Sequence, residues 1–172
     1  VYANAALTAK TTVTINGGTG EVGTRAVTAG GKVDISADAN IALHGLAKGV
    51  DIGITSRNSS IDLYDSIQGT GKVTLFGGSS LYLEKNAKGN NVIQGASLDI
   101  SSANNIDVLV KMVSKKGGIS VSTTWDYLNL LGIVDAEGNV NVAAENGGVY
   151  APGAITATGI LKVSAREEVN MG

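Results

Sequence analysis

Along most of the chain, apolar and polar residues alternate in short bursts and never settle into a helical stripe. Val33 and Ile35 enclose Asp34, Val73 and Leu75 enclose Thr74, and Leu98 and Ile100 enclose Asp99. Ile119/Val121, Val140/Val142 and Leu161/Val163 do the same around Ser120, Asn141 and Lys162. A second set of bursts reads Ile41/Leu43, Ile61/Leu63, Leu81/Leu83 and Ile106/Val108. Alternation over so few residues predicts half-buried strands with the apolar side inward. The nearest approach to a helix is Asn105–Val113, NIDVLVKMV, which is β-branched and reads better as two strands around a corner.

The bursts recur at one period. Taking the first apolar residue of each, one series runs Val13, Val33, Val50, Val73, Leu98, Ile119, Val140, Leu161, in steps of 20, 17, 23, 25, 21, 21 and 21. A second runs Val22, Ile41, Ile61, Leu81, Ile106, Leu128, Val149, Val169. A third, weaker series is Val27, Leu46, Ile67, Ile93, Val113, Val134, Ile155. The cleanest copy is Gly138–Ala165, where a glycine corner at Gly147-Gly148 separates the first two bursts and Ile155 starts the third. Three short strands per ~21 residues predict an all-β parallel β-helix, a solenoid of seven to eight rungs. One rung cannot bury its own apolar side chains; stacked rungs bury them in a common column. Eight markers about 4.8 Å apart imply a rod roughly 34 Å long.

Residues 1–172 form a single domain on this reading, with 1–11 as a lead-in to the first rung. One rung is too long. Glu84-Lys85-Asn86-Ala87-Lys88-Gly89-Asn90-Asn91 lies between two strands and is polar apart from Ala87 and Gly89. It is expected to project as a loop, and insertions in solenoids are where binding often sits. Glu84, Lys85, Asn86, Lys88 and Asn90 are therefore candidate interaction residues. Tyr82 and Tyr150 join them, because both fall on outward positions of the second series. They stand three rungs apart, about 14 Å, and so form no common platform. Trp125-Asp126-Tyr127 reads as corner packing before a second strand.

Composition agrees with the repeat. Glycine is 24 of 172 residues, proline 1 and aromatics 4%, which suits many strands joined by tight corners rather than a disordered linker. The net charge of −2 comes without a basic block, and Lys115-Lys116 reads as a solvated corner. Nucleic acid and anionic membrane surfaces are therefore not expected partners. There is no cysteine, hence no disulfide framework and no Cys-based zinc site. No apolar run approaches the ~20 residues of a membrane span. Val1–Ala6 resemble the small-residue end of a signal peptide, but without basic and apolar parts before them they read as a domain boundary.

Candidate chemistry is sparse. Gly18-Thr19-Gly20-Glu21-Val22-Gly23 fits G-x-G-x-x-G, but no helix pattern follows it, as a dinucleotide site requires. Gly17-Gly18-Thr19-Gly20 begins a calcium nonapeptide, but Val22 stands where Asp is needed. A polysaccharide-cleaving β-helix needs converging carboxylates. In the register above Asp34 and Asp51 share an outward column one rung apart, Asp62 stands between Ala42 and Tyr82, and Asp99 and Asp107 lie on different faces. No trio converges, and solvated strand-face carboxylates are the reading. His44, the sole histidine, is assigned to a corner. Thr12-Val13-Thr14 and Thr156-Ala157-Thr158 are isolated and build no ice-binding array; Asn58-Ser59-Ser60 is a formal glycosylation sequon. No catalytic residue, cofactor or metal is expected.

Gly31–Ala37, Ala96–Ser101 and Gly138–Ala165 resemble the repeats of filamentous haemagglutinin-like exoproteins, the surface adhesins and contact-dependent inhibition proteins exported by two-partner secretion. The resemblance implies a right-handed β-helix on a bacterial surface, holding a distal domain away from the cell. The asparagine-proline motifs of that family's secretion domain are absent, since Pro152 is the only proline, so shaft rather than export domain is implied. Phage fibres and cell-surface filaments share the pattern. Partners would then be neighbouring rungs, copies stacked through open ends, and surface glycans or proteins. Val169 opens a second strand of the eighth rung with no polar cap after it, which fits a piece of a longer rod or a filament subunit. The expectation is a non-enzymatic structural and adhesive module; the alternatives are a self-assembling filament subunit and a carbohydrate-active enzyme.

Overall fold

The computed structural model describes all residues, Val1–Gly172. It contains 25 strands and no helix. The strands form three parallel sheets in which each strand pairs with those about one winding before and after it. The first sheet has nine strands, from Tyr2–Ala3 to Val169–Met171. The second has eight, from Leu7–Ala9 to Ile155–Ala157. The third also has eight, from Val13–Asn16 to Leu161–Ala165. This is the β-solenoid predicted from the alternation, with three strands per rung and about 38 Å of rod at the ~4.8 Å strand spacing.

The core is one column of 37 buried apolar residues. Ile41, Ile61, Leu81, Ile106 and Leu128 stack in register along the first sheet. Val33, Ile52, Val73, Leu98, Ile119 and Val140 do so along the third. Aliphatic side chains of similar size fill each level, and no aromatic ring enters. Where the third sheet turns toward the first, the inward column shrinks to Ala37, Ser56, Gly77, Ser102, Thr123 and Ala144. The corner leaves room for little else, and the buried hydroxyls satisfy corner carbonyls that have left the ladder. Ser56 Oγ donates to the Ala39 carbonyl at 2.8 Å, and Thr123 Oγ1 to that of Asp126 at 2.9 Å.

The second series of markers holds at all eight positions. The first and third each need correction. Ile52, not Val50, stacks on Val33 and Val73, and Val50 is exposed. Alternation runs unbroken through Val50, Ile52 and Ile54, so the pattern alone does not mark the corner; the Gly49 backbone, packed against the Gly31 carbonyl, does. In the second sheet Ala47 and Met112 point inward where Leu46 and Val113 were expected. A one-residue slip exchanges the two faces, and the small Ala47 fits beneath Ile67. Residues 1–11 are no lead-in: Tyr2–Ala3 and Leu7–Ala9 already pair with the next rung.

Close stacking brings corner backbones together. A Cβ on Gly78 would lie 1.9 Å from the Arg57 carbonyl oxygen. At Gly20 the nearest atom would be 3.5 Å away, with φ in the ordinary region.

Two stability outcomes follow. Ile54→Ala should lose about 2–5 kcal/mol in guanidinium unfolding, as buried aliphatic truncations do. Its outward neighbour Thr55→Ala should change stability by no more than about 0.5 kcal/mol. Gly78→Ala should cost about 1–3 kcal/mol through overpacking against backbone, whereas Gly20→Ala should be neutral or stabilise by up to about 1 kcal/mol. Equal effects within either pair would contradict the rung geometry.

Candidate functional site

The regular rungs are interrupted at the corner between the first and second sheets. Leu81–Leu83 ends there, and Val92–Gly95 begins only after the inserted segment. Both strands keep register with their neighbours. The eight residues between them are displaced outward as a loop, as expected. Asn91, which is buried, staples the loop shut: its Nδ2 donates to the Glu84 carbonyl at 2.6 Å and its Oδ1 accepts from the Asn86 amide at 3.1 Å. Asn86 in turn accepts the Lys88 amide at 3.1 Å and donates to Asp65 Oδ1 at 3.3 Å, one rung below. Gly89 turns the chain with φ +66°, a conformation a side chain would resist.

The loop is a ridge with a depression on either side. Below it lies a cleft of about 770 Å³, bordered by Tyr2, Arg25, His44 and Asp65. Its floor is low because Gly23 and Ala42 occupy outward positions that carry larger side chains further along the rod. His44 stacks flat on Tyr64, with centroids 4.8 Å apart and planes within 7°. Partial burial, reinforced by Asp62 and Glu84, raises the Tyr64 phenol above its ordinary pKa, so it stays a neutral donor. Above the ridge lies a groove of about 360 Å³, where Leu109, Leu131 and Ile133 line the corner and Lys85 and Lys111 flank it. Lys111 faces Asp135 at 3.5 Å.

This arrangement can recognise a ligand by shape, apolar contact and scattered polar groups. The expected residues divide accordingly. Glu84, Lys85, Lys88 and Asn90 are exposed on the ridge, whereas Asn86 is half-buried and spends its side chain holding the loop. Tyr82 and Tyr150 face outward in one column, three rungs apart; Tyr82 is half-buried and Tyr150 exposed. The structure separates Asp34 from Asp51. Asp34 stands opposite Gly53 and pairs with Lys32 at 2.6 Å. Asp51 sits in the preceding corner, accepting the Lys72 amide at 2.8 Å. The shared column followed from the mistaken Val50 marker. Asp62 stands between Ala42 and Tyr82 as expected; Asp107, two rungs on, shares that column and accepts from Asn129 at 2.6 Å.

Asp65, Asn91 and the apolar groove were not anticipated from the sequence. The signal for Asn91 was the Asn90-Asn91 pair closing the insertion: one amide points out and its neighbour must point in.

Asn91→Ala should open the loop without unstacking the rod. Hydrogen exchange should accelerate at residues 85–90 and trypsin should nick after Lys85 or Lys88, while Ile61–Leu63 keeps its protection. Loss of protection in both places would make Asn91 a core residue instead.

Compared with protein-family models, with curated proteins and with solved structures, the chain matches none.

Proposed function

We propose that this chain is a non-catalytic shaft segment of a secreted bacterial surface protein, a stiff spacer that also presents an adhesive surface. One observation carries the reading. All three sheets run unbroken from rung to rung around a single aliphatic column, so length is what the repetition produces. Such a structure resists bending because each rung is hydrogen-bonded to its neighbours on three sides. A cysteine-free sequence suits export in an unfolded state, and the resemblance of Gly31–Ala37 and Gly138–Ala165 to exoprotein repeats supports the same location. The loop ridge and its flanking depressions supply the adhesive surface, with glycans or proteins of a host or neighbouring cell as the partners.

The disposition of the carboxylates favours a non-catalytic role. Asp38, Asp99 and Asp135 face Arg57, Lys72 and Lys111, while Asp62 and Asp107 accept from Asn40 and Asn129. These are contacts along the rod that steady outward rows. No three His, Cys, Asp or Glu side chains gather at one point.

Two measurements test the reading. Negative-stain microscopy of the purified chain at neutral pH should reveal short separate rods; long fibres would replace the spacer with an end-to-end filament. Incubation with pectate and alginate should yield no unsaturated products. Product release lost in an Asp62→Ala/Asp107→Ala double variant would make the chain an enzyme.

A further inference from the structure

The chain has seven aromatic residues, and none lies in the core. Aliphatic columns fill the rod completely, so each aromatic ring is a surface feature. Three of them fall on two successive rungs, and two of these, Tyr127 and Tyr150, border one depression. Trp125 and Tyr127 occupy the corner that leads from Ile119–Thr123 to Leu128–Leu130. Tyr150 stands on the next rung, opposite Asn129. Trp125 is 66% exposed, Tyr127 49% and Tyr150 43%. Leaving so much aromatic area in water forgoes a large hydrophobic gain, and no packing need in this fold requires it.

The Tyr127 ring is also held in place. Tyr127 lies across Gly148, whose absent side chain makes room: a Cβ there would meet the ring at 2.8 Å. Its phenol donates to Glu167 Oε2 at 2.9 Å, pinning the far end of the ring along the rod surface. Tyr127 and Tyr150 border a depression of about 80 Å³, with Glu168 and Asn170 on its edge. That volume is too small to enclose a ligand. A ligand must lie across the rings and meet the polar groups at its margin.

We infer that Tyr127 and Tyr150, with Trp125 in the corner beside them, form a stacking platform for an uncharged glycan. A pyranose has the complementary form: an apolar C–H face for the rings and a rim of hydroxyls for an amide and a carboxylate. Charge selects the class. There is no Lys or Arg between Lys116 and Lys162, while Asp126 and Glu145 lie in that interval and Glu167 and Glu168 follow it. The one nearby guanidinium, Arg166, is engaged with Asn146 Oδ1 at 2.8 Å. Sulfated or uronic glycans meet repulsion here; neutral hexose or N-acetylhexosamine chains do not. The platform lies apart from the loop ridge, and it specifies one ligand class for the adhesive part of the proposed function.

The sole tryptophan of the chain is a built-in probe. Titration with cellohexaose, maltohexaose and N-acetylchitohexaose should give a saturable blue shift of Trp125 emission with at least one of them. A heparin hexasaccharide should give none. Tyr150→Ala should weaken the response roughly tenfold or more, as loss of an aromatic anchor does, with unchanged circular dichroism and rods by microscopy. Phe76→Ala, on the third sheet, should leave it intact. Flat emission with all three neutral sugars, or a response to heparin at least as strong, would overturn the platform. Either result leaves the spacer reading standing, because rod shape is measured independently.

Discussion

Everything in this structure depends on the vertical hydrogen-bonded stacking of one rung on the next. A single rung has no interior. Its Val, Ile and Leu side chains become buried only when the rungs above and below cover them, and its strand amides find partners only in those rungs. Sequence at an inward position is therefore constrained by its equivalents one winding away. The columns Ile41-Ile61-Leu81-Ile106 and Ile35-Ile54-Leu75-Ile100 are the outcome. The corner columns of Gly, Ala and Ser have the same origin, since close approach of corner backbones leaves little volume for a side chain.

Outside that constraint the chain is free to vary, and function must lie there. An insertion at a corner costs no ladder pairing. The strands on both sides of Glu84–Asn91 keep their partners, so the loop adds surface without disturbing the core. Outward rows are less free than they first appear in a sequence. Asp62 with Asn40, Asp107 with Asn129 and Asp99 with Lys72 are mutual contacts along the rod. One inward hydroxyl is left unsatisfied. Thr24 stands in the column of Leu43 and Leu63 with its hydroxyl buried and without a partner, beside the larger cleft. Such a group weakens the first rungs locally.

The same economy explains why aromatic rings carry more information here than in a globular domain. In most folds a Trp or Tyr is ambiguous between core and surface. A column about one Ile wide excludes rings, so their positions report on contacts with something else. Tyr64 on His44, Tyr2 across Gly23 and Tyr127 across Gly148 each lie against the rod rather than in it.

The sequence by itself determined the solenoid, the three strands per rung and the site of the projecting loop. These rest on period-two alternation and on repetition, which are local and redundant: one misread burst is corrected by seven others. It also placed Tyr82 and Tyr150 outward and Asp62 between Ala42 and Tyr82. The tertiary structure decided where each corner ends and which residue begins the next strand. Val50 and Ile52, Leu46 and Ala47, and Val113 and Met112 are each plausible markers in sequence. The choice was made by contacts between rungs, such as Gly49 against the Gly31 carbonyl, that no single winding contains. Tertiary structure also separated Asp34 from Asp51 and turned Asn86 and Asn91 into a staple. It brought Tyr127 and Tyr150 to the border of one depression, because residues about a winding apart in sequence become neighbours only when the rungs are stacked.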